Sequence, residues 1–188
     1  MIQVFDNLVP LMYQEELITI VRGMPFVHFD TTARLYDDEP FSTDPNLKDN
    51  GQFVNVVYDP DDNLRTDFFP MFFPILYFFN HATGIKINNI TRFKINLVLQ
   101  DFTFEPNQYN IPHVDTSKPG EKVLLYYVND SDGDTILFDQ FKGDTNLTVH
   151  QRISPKQGRA VLFEANRYHA GCCPRFHKTR YAININFN

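Results

Sequence analysis

The sequence predicts a mainly β chain of the α+β kind, a jelly roll of two sheets with helices packed against its outside. Two observations lead there. After Ile90 short apolar runs alternate with turn residues at the spacing of eight strands, a number that two stacked antiparallel sheets accommodate. Helical periodicity, by contrast, is confined to the residues before Ile90.

The elements follow in order. Ile2 to Phe5 alternates as a short strand. Leu11 to Arg22 carries Leu11, Leu17, Ile18 and Val21 at helical spacing and is closed by Gly23. Thr31 to Asn50 is polar, broken by Pro40 and Pro45, and reads as a long loop of the kind that often serves function. Phe53 to Tyr58 predicts a strand, and Asp59-Pro60-Asp61-Asp62-Asn63 a turn. The acidic turn lacks the ligand spacing and closing Glu of a calcium loop and reads as a solvated hairpin tip. A second helix is expected from about Asp67 to His81, with Pro70 and Pro74 in its first turns and Gly84 near its end. Its Phe-rich block, 68–79, reads as core. The eight strands are placed at roughly 91–100, 108–113, 121–129, 135–139, 147–152, 159–164, 168–173 and 178–187.

With 188 residues the chain is expected to form a single domain, 1–188. Residues 1–90 supply helical and strand support and a possible lid, and 91–188 the jelly-roll core. A composition 43% hydrophobic, with 19 Phe and no Trp, suits one well-filled interior. The net charge of −6 makes nucleic acid an unlikely partner, since backbone binding needs a basic stripe. Cys172 and Cys173 are adjacent, a poor geometry for a disulfide, which fits a reducing compartment. The N-terminus lacks the basic start and apolar run of a secretion signal, and the block 68–79 is too short to span a bilayer. The expectation is a cytoplasmic protein with no membrane partner.

The chemistry concentrates in Tyr109-Asn110-Ile111-Pro112-His113-Val114-Asp115. A His and a carboxylate two residues apart on an extended segment point the same way, so both can reach one ion. A second imidazole would complete a two-His, one-carboxylate face, the arrangement that holds non-haem Fe(II) with positions left open. His169 is the candidate. Four predicted strands lie between Asp115 and His169, enough to return the chain to the same mouth. His28, His81, His150 and His177 are the competing imidazoles, and His177 beside Lys178 reads as a solvated turn residue. Arg180 opens a strand on which Arg180, Ala182, Asn184 and Asn186 share one face and Tyr181, Ile183, Ile185 and Phe187 the other. An Arg facing a polar interior needs an anion, because burying an unpaired charge is costly. Lys178 has the same parity and is a rival.

The segments His113-x-Asp115 with Tyr109 before it, Leu125-Tyr126-Tyr127-Val128-Asn129, Gly158-Arg159-Ala160-Val161-Leu162-Phe163, Tyr168-His169-Ala170-Gly171 and Thr179-Arg180-Tyr181-Ala182-Ile183 together resemble the 2-oxoglutarate/Fe(II)-dependent dioxygenases, most closely their prolyl 4-hydroxylase branch. The resemblance covers roughly Thr91 to the end. It implies a double-stranded β-helix in which His113, Asp115 and His169 hold Fe(II) and 2-oxoglutarate chelates the metal. Arg180 would grip the far carboxylate of 2-oxoglutarate, with a hydroxyl from Tyr127 on that same carboxylate; Tyr127 can equally be an ordinary barrel tyrosine. It further implies hydroxylation of an unactivated C–H bond with O2, giving succinate and CO2, with ascorbate as a possible auxiliary. The substrate class it suggests is a peptide, protein or amino acid. A small metabolite or nucleobase substrate, or a non-catalytic metal-binding jelly roll, remain as alternatives. Thr31 to Asn50 or Tyr58 to Arg65 could close over the substrate, and Arg92, Asn96 and Arg167 are candidate mouth residues.

Overall fold

The computed structural model describes residues 1–33, 44–144 and 146–188. Its elements are β1 (Gln3–Phe5), α1 (Leu11–Arg22), β2 (Val27–Phe29), β3 (Gln52–Asp59), β4 (Leu64–Arg65), a 3-10 turn (Phe69–Phe72) leading into α2 (Phe73–Thr83), β5 (Ile90–Leu99), β6 (Lys122–Tyr127), β7 (Thr135–Phe141), β8 (Val149–Ile153), β9 (Ala160–Glu164), β10 (Arg167–Gly171) and β11 (Thr179–Phe187). The large sheet runs β1-β9-β6-β11-β5-β3-β2, with β4 beside β3, and the small sheet runs β10-β7-β8. It is the mainly β, two-sheet architecture with outer helices that the strand spacing predicts.

The alternation of β11 explains how the layers separate. Ile183, Ile185 and Phe187 lie in one cluster with Leu17 and Val21 of α1 and Ile75 and Phe79 of α2, all essentially buried. Burying each such side chain stabilises the fold by roughly 1.5–3 kcal/mol, so the helices are held by hydrophobic contact with the outer face of the large sheet. Ala182, on the opposite face, lies with Val123, Tyr127, Leu137 and Phe163 between the sheets. β5 is built in the same way: Phe93 and Ile95 pack outward with the helices, while Arg92, Lys94 and Asn96 take the other parity. α2 ends where Gly84 takes φ 70°, a left-handed turn that glycine adopts without steric cost.

Most predicted elements form within a residue or two of their expected bounds, but two readings need correction. The stretch 108–113 is not a strand; it makes two isolated bridges, Leu47 with Tyr109 and His113 with His169. Pro112 has no N–H to donate to a ladder, and Tyr109 spends its backbone groups on the loop at Asn46 and Lys48. The Phe-rich block is core only along one side. Phe69, Phe72 and Phe79 are buried, whereas Met71, Phe73 and Tyr77 face outward, and Phe73 and Tyr77 border a surface groove with Tyr58 and Arg65. The Asp59–Asn63 turn forms as expected, an exposed tip between β3 and β4. Residues 34–43 of the long loop lie outside the described residues. Among the described residues no helix is long and apolar enough to cross a membrane.

Candidate active site

His113 and His169 face each other across an antiparallel bridge, each backbone N–H donating to the other's carbonyl at 2.9 Å. Two residues on, the Asp115 N–H donates to the carbonyl of Ala165 at 2.9 Å. The segment therefore enters alongside β10, and its parity turns both side chains inward. The imidazole rings have centroids 4.4 Å apart, and His169 Nε2 lies 3.8 Å from Asp115 Oδ2. One ligand atom from each of His113, Asp115 and His169 falls within 4.8 Å of the others. The three side chains therefore converge as the sequence suggests.

The surroundings prepare these groups to bind a cation. His113 Nδ1 lies 3.0 Å from the Ile111 carbonyl, and His169 Nδ1 lies 3.1 Å from that of Arg167. A carbonyl only accepts, so each Nδ1 carries the proton and each Nε2 keeps a free lone pair. Burial pushes the His113 imidazole down to about 3, with the neighbouring His169 acting in the same direction. Burial also lowers His169, with Asp115 opposing. Both rings stay neutral, as metal ligation requires. For Asp115 burial acts against the charge, but Lys94, His169, Arg92 and His113 outweigh it and hold the carboxyl well below the usual range. Arg92 Nη2 donates to Asp115 Oδ1 at 2.7 Å, and Asn184 Nδ2 donates to Oδ2 at 2.9 Å. Burial pushes the Lys94 ammonium down to about 8, against the pull of Asp115.

Arg180 sits deeper, 5% exposed. Its Nη2 donates to Thr135 Oγ1 at 2.6 Å, the Tyr127 hydroxyl donates to the same oxygen at 2.7 Å, and the guanidinium lies over the Tyr127 ring at 5.6 Å. Its Nε is buried and unpartnered, and among the described residues no carboxylate pairs with it. Space for the side chain comes from Gly133, where an added Cβ would meet the Cys172 carbonyl at 2.6 Å and Arg180 Cδ at 3.1 Å. Lys178, the rival anchor, is exposed.

A narrow inner cavity touches Arg180, Thr135, Asn96, Asn184, His113 and His169. An outer cavity of about 270 Å³ reaches solvent and is bordered by Arg92, Lys94, His113 and Asp115. Thr32, Lys94 and His113 border both. Of the expected mouth residues, Arg92 is at the mouth and Asn96 lies deeper. Arg167 borders neither cavity: its Nη1 donates to the Phe138 carbonyl at 2.6 Å and its guanidinium covers the Phe141 ring. The hairpin tip Tyr58 to Arg65 is likewise absent from the outer cavity's border. Sequence reasoning missed Thr135 and the donors Lys94 and Asn184. The signal was present, because Asn184 shares parity with Arg180, and Lys94 with Arg92. The competing imidazoles are elsewhere: His150 pairs with Asp139, His177 with Asp132, His28 lies against Phe53, and His81 is exposed. The Tyr109 hydroxyl donates to Asp44. Cys172 and Cys173 are free and buried.

Comparison with known proteins follows the same lines. The family model described as 2OG-Fe(II) oxygenase superfamily matches residues 99–188. No curated protein sequence matches the chain. Among solved structures, an oxidoreductase of the 2OG-Fe(II) oxygenase family from Burkholderia pseudomallei is similar at TM-score 0.67 and 14% identity, over 100% of this chain and 84% of that one. A Pseudomonas putida prolyl-4-hydroxylase is similar at TM-score 0.58 and 11% identity, over 100% and 92%. A prolyl hydroxylase in complex with a hypoxia inducible factor oxygen degradation domain peptide fragment, from Trichoplax adhaerens, is similar at TM-score 0.58 and 13% identity, over 99% and 82%. At these identities the structures speak for the fold. The match over residues 99–188 adds a likeness in sequence: this part of the chain is similar to the 2OG-Fe(II) oxygenase superfamily.

Proposed function

We propose that the protein hydroxylates an unactivated C–H bond of a peptide, protein or amino-acid substrate, in the manner of a prolyl hydroxylase, with Fe(II) held by His113, Asp115 and His169. The observation that carries this reading is a pairing: a ligand triad at one end of a narrow cavity and a buried guanidinium with a spare donor at the other. A structural metal site would need the first but has no use for the second. The donor set fits the metal, with two neutral imidazoles offering Nε2 and one ionised carboxylate.

When bound, Fe(II) and 2-oxoglutarate supply the oxidative chemistry that converts O2, the co-substrate and a C–H bond into an alcohol, succinate and CO2. The chain's own groups do the rest. Arg180 binds the distal carboxylate of 2-oxoglutarate by a charge-assisted contact, and Thr135, accepting from both Arg180 and Tyr127, fixes the guanidinium in that orientation. Tyr127 acts on the anchor through its ring and through Thr135. Arg92 and Asn184 each hold one oxygen of Asp115, which keeps the carboxylate from rotating. The Asp115 and His169 side chains are 1% and 7% exposed, which limits the access of water to these two groups. The prolyl hydroxylases among the similar structures support the peptide reading.

Anaerobic titration with Fe(II) and 2-oxoglutarate tests the site, with a weak visible charge-transfer band as the expected result. His113→Ala should abolish the band. Arg180→Ala should weaken 2-oxoglutarate binding roughly tenfold or more, the size of one lost charge-assisted hydrogen bond, while leaving metal affinity nearly unchanged. No band in the wild-type protein would overturn the reading. Oxygen-dependent succinate formation with proline-rich peptides, run with and without ascorbate, tests the substrate class.

A further inference from the structure

The mouth of the site carries more positive charge than iron and 2-oxoglutarate can use. Fe(II) brings two positive charges and Arg180 one; Asp115 and the two carboxylates of 2-oxoglutarate bring three negative ones. That set is neutral. Arg92 and Lys94 remain, both facing the outer cavity, which Lys142 also borders and whose one bordering carboxylate among the described residues is the Asp115 already counted. Lys94 Nζ lies 3.9 Å from Asp115 Oδ1, beyond hydrogen-bond reach, and makes no hydrogen bond among the described residues, though its side chain is only 13% exposed. Arg92 gives one nitrogen to Asp115, and its Nε is buried without a partner. The two side chains stand two residues apart on the inner face of β5, opposite Asn186 and Asn184 of β11, so they present adjacent donors along one wall. The protein as a whole carries a net charge of −6, which makes a local pair of cations at the cavity a placed feature.

We propose that the primary substrate carries a carboxylate, and that Arg92 and Lys94 bind it in the outer cavity beside the candidate iron site. This rests on the oxygenase reading above and narrows its substrate class. A carboxylate there would take the spare hydrogens of both cations and hold the neighbouring carbon close to the metal position. The carboxylate can belong to a free amino acid or other small acid, or to an acidic side chain or C-terminus of a peptide.

The test compares matched pairs in oxygen-dependent succinate formation by the wild-type protein. One arm sets free amino acids and N-acetyl amino acids against their carboxamides. The other sets peptides bearing Asp, Glu or a free C-terminus against the same peptides with Asn, Gln or an amidated end. Acids should stimulate turnover at least tenfold more than their amides, and the arm that responds identifies the source. In the double variant Arg92→Gln, Lys94→Met that ratio should collapse toward one. It is taken within a single protein, so any change in iron affinity cancels. The charge-transfer band with acids and amides equally effective, or with no carboxylate stimulating at all, overturns this proposal and leaves the oxygenase reading standing. A missing band removes both.

Discussion

Thr135 links Arg180 to its surroundings: one hydroxyl oxygen accepts from both Arg180 and Tyr127. Thr135→Val keeps the shape and removes the acceptor, leaving a buried phenol and a guanidinium nitrogen without partners. The expected cost is about 1–3 kcal/mol of stability, read as a lower midpoint in urea. Weaker 2-oxoglutarate binding should accompany it, with metal affinity unchanged in an iron titration. Residues of this kind explain where the sequence stops being informative. His113, Asp115, His169 and Arg180 are legible because their chemistry is specific and their spacing along extended chain fixes direction. Thr135 is one threonine among many at the start of a strand, and only the convergence of β7, β6 and β11 gives it two donors. Arg167 errs in the opposite direction: it sits two residues from His169, yet the pairing of β10 with β7 shifts register between the two, and the nearby Phe138 carbonyl holds its guanidinium away from the mouth.

The elements that position the site are held by clamps outside it. Asp132 accepts backbone N–H groups from Arg175, Phe176 and His177, and its carboxylate also contacts the His177 ring at 2.7 Å. This fixes the turn that launches β11 and therefore Arg180. Burial opposes the charge on Asp132, but the His177 contact and the three backbone donors outweigh it and bring the carboxyl to about 2. Its folded value lies below its unfolded one, so the stability it contributes is complete above about pH 4 and is lost as pH falls toward 2. Asp132→Asn should therefore lower the thermal midpoint at pH 7 and make little difference near pH 2, as calorimetry at the two pH values would show. The α2 element has a comparable role on the other side of the sheet. Phe79→Ala removes a fully buried ring that packs edge-on against Phe5 and Phe187, and should cost about 3–5 kcal/mol. Helix periodicity made α1 and α2 readable, but not the outward side of α2, since Phe73 and Tyr77 are as apolar in sequence as the buried Phe72.

At the scale of the molecule, the chain before Ile90 is part of the large sheet. β1 pairs with β9, β3 pairs with β5, and α1 and α2 cover Phe93, Ile95, Ile183, Ile185 and Phe187. We therefore expect a fragment of residues 90–188, which holds every candidate site residue, to expose that outer face. It should sediment as aggregates or bind a hydrophobic dye where the full chain does not. These long-range pairings were the least legible part of the fold, because nothing local in Gln3–Phe5 or Val27–Phe29 names its partner. The jelly roll itself was legible because strand number and turn spacing restrict the alternatives.

β5 sets Arg92, Lys94 and Asn96 on one side and Phe93 and Ile95 on the other. A single-residue deletion just ahead of it would exchange the two rows, pressing charge into the helix layer and phenyl rings into the pocket. Packing and the proposed recognition thus share one reading frame along this strand. Point changes in either row can be tolerated separately, but a slip in alignment would ruin both at once.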